Sequence, residues 1–430
     1  MLEILVDRPE SLSDEALKLA LVGCRPGESV EISSTRIDYN HRFWRAWGRY
    51  RADAKGRVEL ARDAPLEGSY GGVSPMGLFW SMALMEDEAP PLPPREIAEG
   101  LTMRFHAHSL DRELRAETEV RRALLGPGVT SHALEEDGLV GRLFLPEGKG
   151  PHPVVIALSG SSGGLNLPIA ALLASHGYAA LALGYFGLPG LPKSLDAIPL
   201  EYFETAIAWL RRQPALFSDF IAVTGMSRGG ELSLLLGASF PAIRAVVAYV
   251  ASGLMHGGLT RSRETGRSGA AWTRGGEPLA FLEQDNRATD SRIVDWDRPP
   301  VPLAPIFESS LRDGAAVERA TIPVERINGP VLLISGTADS MWPAVTLSEI
   351  AVQRLREHGH RFPLEHLVYE GAGHMIFPPY APTTRRNAVH AVLGTDFAFG
   401  GSAEADAAAC ADSWPKVLAF LAEAAEACGQ

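Results

Sequence analysis

The spacing of apolar and polar positions divides the chain near residue 125. Before that point, segments 30–39 (VEISSTRIDY), 42–52 (RFWRAWGRYRA) and 100–109 (GLTMRFHAHS) alternate apolar with polar residues, and turn residues separate them. A period of two turns one face of each strand inward, and short strands at regular intervals predict an all-β sandwich over residues 1–124. Two stretches break the pattern. GSYGGVSPMGLFWSM (68–82) is apolar and rich in glycine, and reads as a loop packed on a neighbouring domain, with a direct part in ligand binding as the alternative. PPLPPRE (90–96) reads as a connector.

From 125 onward, strands alternate with helices. Strands are expected at 138–146, 153–160, 178–187, 220–227 and 243–252, with helices at 167–177, 200–212 and 230–240 between them. PVVIALSG (153–160) is a continuous apolar run of the kind buried on both faces of a parallel sheet. The alternation stops over 253–327, a Gly-, Arg-, Asp- and Pro-rich segment that reads as a lid-like insertion. It resumes with strand 330–336, helix 342–358 with Leu347, Ile350, Ala351 and Leu355 on one face, strand 364–370 and a closing helix 412–427. Strand–helix repeats at this interval predict a mostly parallel sheet flanked by helices over 125–430, preceded by the smaller β domain.

Charge narrows the function. The 430 residues carry 40 Lys+Arg against 52 Asp+Glu, a net −12, which argues against a nucleic-acid partner. No run approaches the roughly 18 apolar residues of a membrane span. The N-terminus, MLEILVDRPESLSDE, is acidic where a secretory signal would be basic, and Cys24, Cys410 and Cys428 are too few and scattered for a disulfide framework. A reduced, cytoplasmic location is the expectation. The histidines are dispersed without ligand spacing, so no metal is implied. No Gly-Lys-Ser/Thr follows the glycines at 160–164, so neither is a nucleotide cofactor.

Gly225-Met226-Ser227-Arg228-Gly229 matches G-x-S-x-G, in which small neighbours let a serine sit on a sharp strand-to-helix turn. Glycine fills 43 of 430 positions, so the pattern alone is weak, and Gly160-Ser161-Ser162-Gly163-Gly164 matches it too. Chain order separates the two. An α/β-hydrolase presents Ser, then Asp or Glu, then His, at the ends of successive strands. Counting from Ser227, one strand intervenes, the next delivers Asp339, and the one after delivers His374. From Ser162 there would be two extra strands. Ser227 is therefore the expected nucleophile, Asp339 the acid and His374 the base. The backbone N–H of Arg228 is one expected oxyanion donor, and the second falls in the 160–163 loop, at Ser161 or Ser162.

Longer stretches then resemble one family: GSYGGVSPMGLFW, GSSGGL, ATIPVERINGPVLLISGTADSMW, YEGAGHMIFPPYAP and NAVHAVLGTDFAFGGSAEADAAACADSWPKVLAFL. They are similar to type I acyl-CoA thioesterases and bile acid-CoA:amino acid N-acyltransferases, over nearly the whole chain. The resemblance implies an N-terminal β-sandwich before an α/β-hydrolase domain, the triad Ser227, Asp339 and His374, and an acyl-CoA or acyl-carrier-protein thioester as substrate, with CoA entering only as part of that substrate. In that family serine goes with hydrolysis and cysteine with transfer to an amino acid, so hydrolysis is expected here and acyl transfer to an amine or alcohol is the alternative. Where relatives commonly carry a second acidic residue and a His-Asn pair, this chain reads Ala338-Asp339-Ser340-Met341-Trp342, which implies a more apolar pocket. Arg261, Arg263, Arg267 and Arg274 of the lid segment are expected on a solvated face, contact with a CoA phosphate being the alternative.

Overall fold

A computed structural model describes residues 1–85, 94–261, 268–284 and 294–429. Most of the proline-rich connector, Arg263, Arg267 and the side chain of Arg261 lie outside the described residues. The chain forms two compact units. The first comprises Met1–Gly126, Pro378–Arg385 and Ser402–Ala411; the second comprises Pro127–Phe377, Arg386–Gly401 and Asp412–Gln430.

In the first unit, Ser29–Ile37 pairs antiparallel with both Phe43–Arg51 and Leu101–Ser109, and Arg115–Ala123 extends the sheet beyond Leu101–Ser109. A smaller sheet joins Glu3–Val6, Leu19–Val22 and Val58–Glu59. Alternate residues of Leu101–Ser109 are buried, as the period-two pattern requires. Ile4, Leu21 and Val58 of the small sheet share one core with Val30, Ile32 and Phe105 of the large one. The glycine-rich 68–82 segment fills this same core, which corrects the expectation that it packs on a neighbouring domain. Leu78, Phe79 and Trp80 are buried on a short helix, Gly77–Trp80, and the Leu78 carbonyl accepts a hydrogen bond of 2.6 Å from the buried Ser34 hydroxyl. Gly77 is needed there, because a Cβ would lie 2.2 Å from the Tyr70 ring.

The second unit is built on eight strands: β1 (Thr130–Leu134), β2 (Val140–Leu145), β3 (His152–Leu158), β4 (Ala179–Gly184), β5 (Leu216–Met226), β6 (Ile243–Tyr249), β7 (Val331–Gly336) and β8 (Leu364–Tyr369). Their order across the sheet is β1-β2-β4-β3-β5-β6-β7-β8. β2 is antiparallel to β1 and β4, and every pairing from β4 through β3 to β8 is parallel. Every residue of β4 and β7 is buried, which explains their unbroken apolar sequence: both faces meet other side chains. Helices Leu167–Ser175, Leu200–Arg211, Arg228–Ser239 and Ala344–Glu357 follow β3, β4, β5 and β7 in the chain. Parallel strands place their C-terminal ends on one edge, and the loops there carry the site.

The 253–327 segment between β6 and β7 holds the hairpin Gly257–Arg261/Ser268–Ala270 and the helices Ala304–Ser310 and Gly314–Ala320. The closing helix runs over Ala403–Gly429, and so begins nine residues before the expected Asp412. Ser402 caps it, its hydroxyl accepting from the Ala405 N–H at 3.1 Å, and the alanine-rich first turns favour helix strongly enough to continue past Pro415.

Candidate active site

β5 ends at Met226 and the next helix starts at Arg228, leaving Ser227 between them at φ 59°, ψ −122°. A residue with a Cβ seldom adopts positive φ, and where it does the surroundings must enforce it. The Ser227 N–H donates to the Tyr249 carbonyl of β6 at 2.9 Å, while its own carbonyl accepts from Gly230 and Glu231 at 2.8 and 3.0 Å. The flanking glycines are steric necessities. A Cβ at Gly225 would stand 2.3 Å from the Gly229 oxygen, and one at Gly229 would stand 2.3 Å from the Ser159 oxygen. The helix that follows leaves its first N–H groups, at Arg228 and Gly229, without intrahelical partners beside the serine.

Asp339 follows β7 and His374 follows β8. Asp339 Oδ2 is 2.7 Å from His374 Nδ1, with both residues buried. The carboxylate therefore fixes the proton on Nδ1 and leaves the Nε2 lone pair as the acceptor. Asp339 Oδ1 accepts from the N–H groups of Met341 and Trp342 at 2.8 and 3.3 Å, so its loop holds the acid rigidly. A segment that the sequence reading left without an element braces both loops. The Phe399 carbonyl, just past the hairpin Asn387–Val389/Asp396–Ala398, accepts from the His374 N–H at 2.9 Å and the Ser340 N–H at 3.3 Å. Gly400, at φ 71°, lies so close that a Cβ would meet the Ala338 oxygen at 2.1 Å.

Ser227 opens into a cavity of about 490 Å³ whose wall also includes Ser161 and Arg228. Ser162, by contrast, is exposed and does not line it. Apolar side chains dominate the remainder, among them Leu303, Ile306, Phe307, Met341, Trp342 and Phe397. The expected apolar pocket beside the acid is thus supplied by Met341 and Trp342 themselves. The 160–164 loop is clamped beneath the elbow: the Ser159 carbonyl accepts from the Tyr185 hydroxyl at 2.7 Å, and a Cβ at Gly160 would lie 3.6 Å from that of Ser227.

Three polar residues escaped the sequence reading. Glu231 is wholly buried on the post-elbow helix, one turn from Ser227; it pairs with Arg228 Nε at 3.0 Å and accepts from Trp272 Nε1 at 2.8 Å. Burial pushes its carboxyl above the ordinary value, against the pull of the Arg228 guanidinium. The Arg228 side chain also donates to the carbonyls of Gly257 and His256 at 2.8 and 3.0 Å, tying the base of the 253–327 segment to the elbow. His256 is buried against Phe307 and Trp342, and burial holds its ring well below the usual histidine range. His390 lines the cavity and contacts Ser161. Only Glu231 had a readable trace, as an acid in an otherwise apolar helix. Arg274 is exposed and stacks over Phe240 at 5.8 Å.

With this geometry in place, residues 198–427 match the family described as BAAT/acyl-CoA thioester hydrolase C terminal, and residues 14–136 match the acyl-CoA thioester hydrolase/BAAT N-terminal region. The chain belongs to this family. Across 417 residues the hydrolase is 31% identical to the peroxisomal succinyl-coenzyme A thioesterase of Mus musculus, covering 95% of this chain and 93% of the relative. It is 33% identical to the mitochondrial acyl-coenzyme A thioesterase 2 of Mus musculus, over 96% and 87% of the two chains. A solved puromycin-hydrolyzing peptidase of Mycobacterium tuberculosis is 14% identical with a TM-score of 0.43, covering 98% of this chain and 67% of that one. Among the described residues no helix is long and apolar enough to cross a membrane.

Proposed function

We propose that this hydrolase cleaves acyl-CoA thioesters to a carboxylic acid and CoA, through an acyl ester on Ser227. The observation that carries the reading is the Ser227 elbow opening on an apolar cavity, with the hydrogen-bonded Asp339–His374 pair at the ends of two later strands. His374 Nε2 takes the Ser227 proton as Oγ attacks the thioester carbonyl, and Asp339 stabilises the imidazolium. Charge develops on the carbonyl oxygen, which the N–H groups of Arg228 and the 160–163 loop receive. The tetrahedral species collapses with loss of the thiol, to which His374 returns the proton. A water, deprotonated by His374, then attacks the acyl-serine and releases the acid. A thioester carbonyl is more reactive than the oxygen ester that replaces it, so acyl-enzyme formation runs downhill.

The family relatives named for acyl-CoA thioesterase activity support the substrate class, and the apolar wall suits a hydrocarbon acyl group. We infer a reduced compartment such as the cytoplasm from the sequence, whose three cysteines, Cys24, Cys410 and Cys428, are too few and scattered for a disulfide framework. The decisive test is product analysis by mass spectrometry over a panel of acyl-CoAs, with wild type and Ser227→Ala, with and without an amine pool. Free acid made only by wild type and unaffected by amines is the expected result. Amide formed only by wild type would reassign the same triad to acyl transfer. Turnover of an acyl-carrier-protein thioester but of no acyl-CoA would replace the thiol carrier.

A further inference from the structure

Ser161 brings more than a backbone N–H to the cavity. Its Oγ lies 2.9 Å from Nε2 of His390, which shares the cavity wall. The other ring nitrogen decides where the proton sits. Nδ1 of His390 faces two backbone N–H groups, those of Val392 and Leu393, each at 3.2 Å. Two donors aimed at one nitrogen demand a lone pair there, so the neutral ring carries its hydrogen on Nε2. Nε2–H therefore donates, Ser161 Oγ accepts, and the serine's own hydrogen is left to point elsewhere. Among the described residues the Ser161 side chain has no second hydrogen-bond partner, and it faces the cavity that Ser227 and Arg228 also line.

The ring is well held. The His390 N–H donates to the Thr395 carbonyl at 2.8 Å, its carbonyl accepts from Gly394 at 2.8 Å, and its edge packs on Phe397 at 5.9 Å. His390 is only 8% exposed, and burial keeps the imidazole below its usual range, in the neutral form this tautomer requires.

The geometry points to the Ser161 hydroxyl as a side-chain oxyanion donor for the acyl transfer at Ser227, with His390 as the positioning residue that orients it. This rests on the hydrolase reading given above. As the bond from Ser227 Oγ to the carbonyl carbon forms, the carbonyl oxygen gains charge and accepts a hydrogen bond from Ser161 O–H. No proton changes owner in that contact, and His390 stays neutral throughout. Donation from Nε2–H polarises the hydroxyl and strengthens it as a donor.

The test compares Ser161→Ala, which keeps the backbone N–H, with His390→Ala, His390→Gln and the Ser161→Ala/His390→Ala double variant. Two rates are read: thiol release from an acyl-CoA, as kcat and KM, and phosphonylation of Ser227 by a fluorophosphonate, whose P–O oxygen seeks the same donors. Thermal midpoints report folding. We expect Ser161→Ala to lower kcat by about 10- to 100-fold with KM within about 3-fold. His390→Ala should fall nearly as far, the double variant no further than Ser161→Ala, and His390→Gln should recover part through its amide N–H. Unchanged kcat in folded Ser161→Ala overturns the proposal, as does a multiplicative loss in the double variant. Should His390→Ala not fold, Ser161→Ala and His390→Gln carry the comparison. Should wild type release no thiol from any acyl-CoA, the thioesterase reading fails and the phosphonylation rates decide alone: the same ranking supports the donor, and equal rates overturn it.

Discussion

The proposed triad of Ser227, Asp339 and His374 could be nominated from the sequence because chain order is a one-dimensional property: a serine elbow, one intervening strand, an acid and a histidine can be counted. The role of Asp339 makes a sharp prediction. Its two oxygens are committed, Oδ2 to His374 and Oδ1 to backbone N–H groups. Asp339→Asn would preserve that geometry while offering an N–H to Nδ1, forcing the imidazole proton onto Nε2 where the lone pair is needed. We expect kcat for thiol release to fall about 10⁴-fold with a far smaller change in KM, measured under steady-state conditions. His390 illustrates the opposite case. Its partner Ser161 lies 229 positions earlier, and nothing local in AVHAVLG marks the histidine as anything but a turn residue.

Among the elements, the periods of two and of three to four fixed strands and helices to within a few residues, because burial of one face is written directly into spacing. Boundaries moved where capping or sterics overrode pattern, as at Arg228, where the elbow starts the helix two residues before the expected Gly230, and at Ser402. The post-elbow helix also carries a polar network that no periodicity announces. Glu231 and Arg228 are buried together, and Arg228 holds two carbonyls of the following insertion. Removing one member strands the other without solvent. Glu231→Ala should cost about 3–5 kcal/mol in urea unfolding, and Glu231→Gln, which keeps an acceptor for Trp272, measurably less. Equal costs would mean that the carboxylate charge paired with Arg228, and not side-chain packing or the acceptor kept for Trp272, supplies the stability.

On the scale of the whole molecule, each unit holds a group that makes stability depend on pH. In the first, Glu28 receives Arg112, the Ser109 hydroxyl and the Arg25 N–H, and the Arg112 hydrogen bond leads in holding its carboxyl down at about 2 against an ordinary 4.5. A lowered carboxyl pKa stabilises fully above 4.5 and ceases to do so as pH falls toward 2. The thermal midpoint of Glu28→Gln should therefore lie below that of wild type at pH 7, with the gap closing between pH 4.5 and 2. In the second unit, His256 stays neutral by burial, so the unfolded chain binds its proton first and stability declines as pH drops below 6.5. The sequence by itself determined the two fold classes and the chain order of the strands, and it singled out Ser227, Asp339 and His374 as the proposed triad, since each depends on periodicity and chain order. Tertiary structure alone decided which serine of the 160–164 loop faces the cavity, what its hydroxyl touches, and that residues 386–401 brace the acid and base loops. Those contacts join positions far apart in the chain, and their partners are chosen by packing in three dimensions, which leaves no periodic trace in the order of residues.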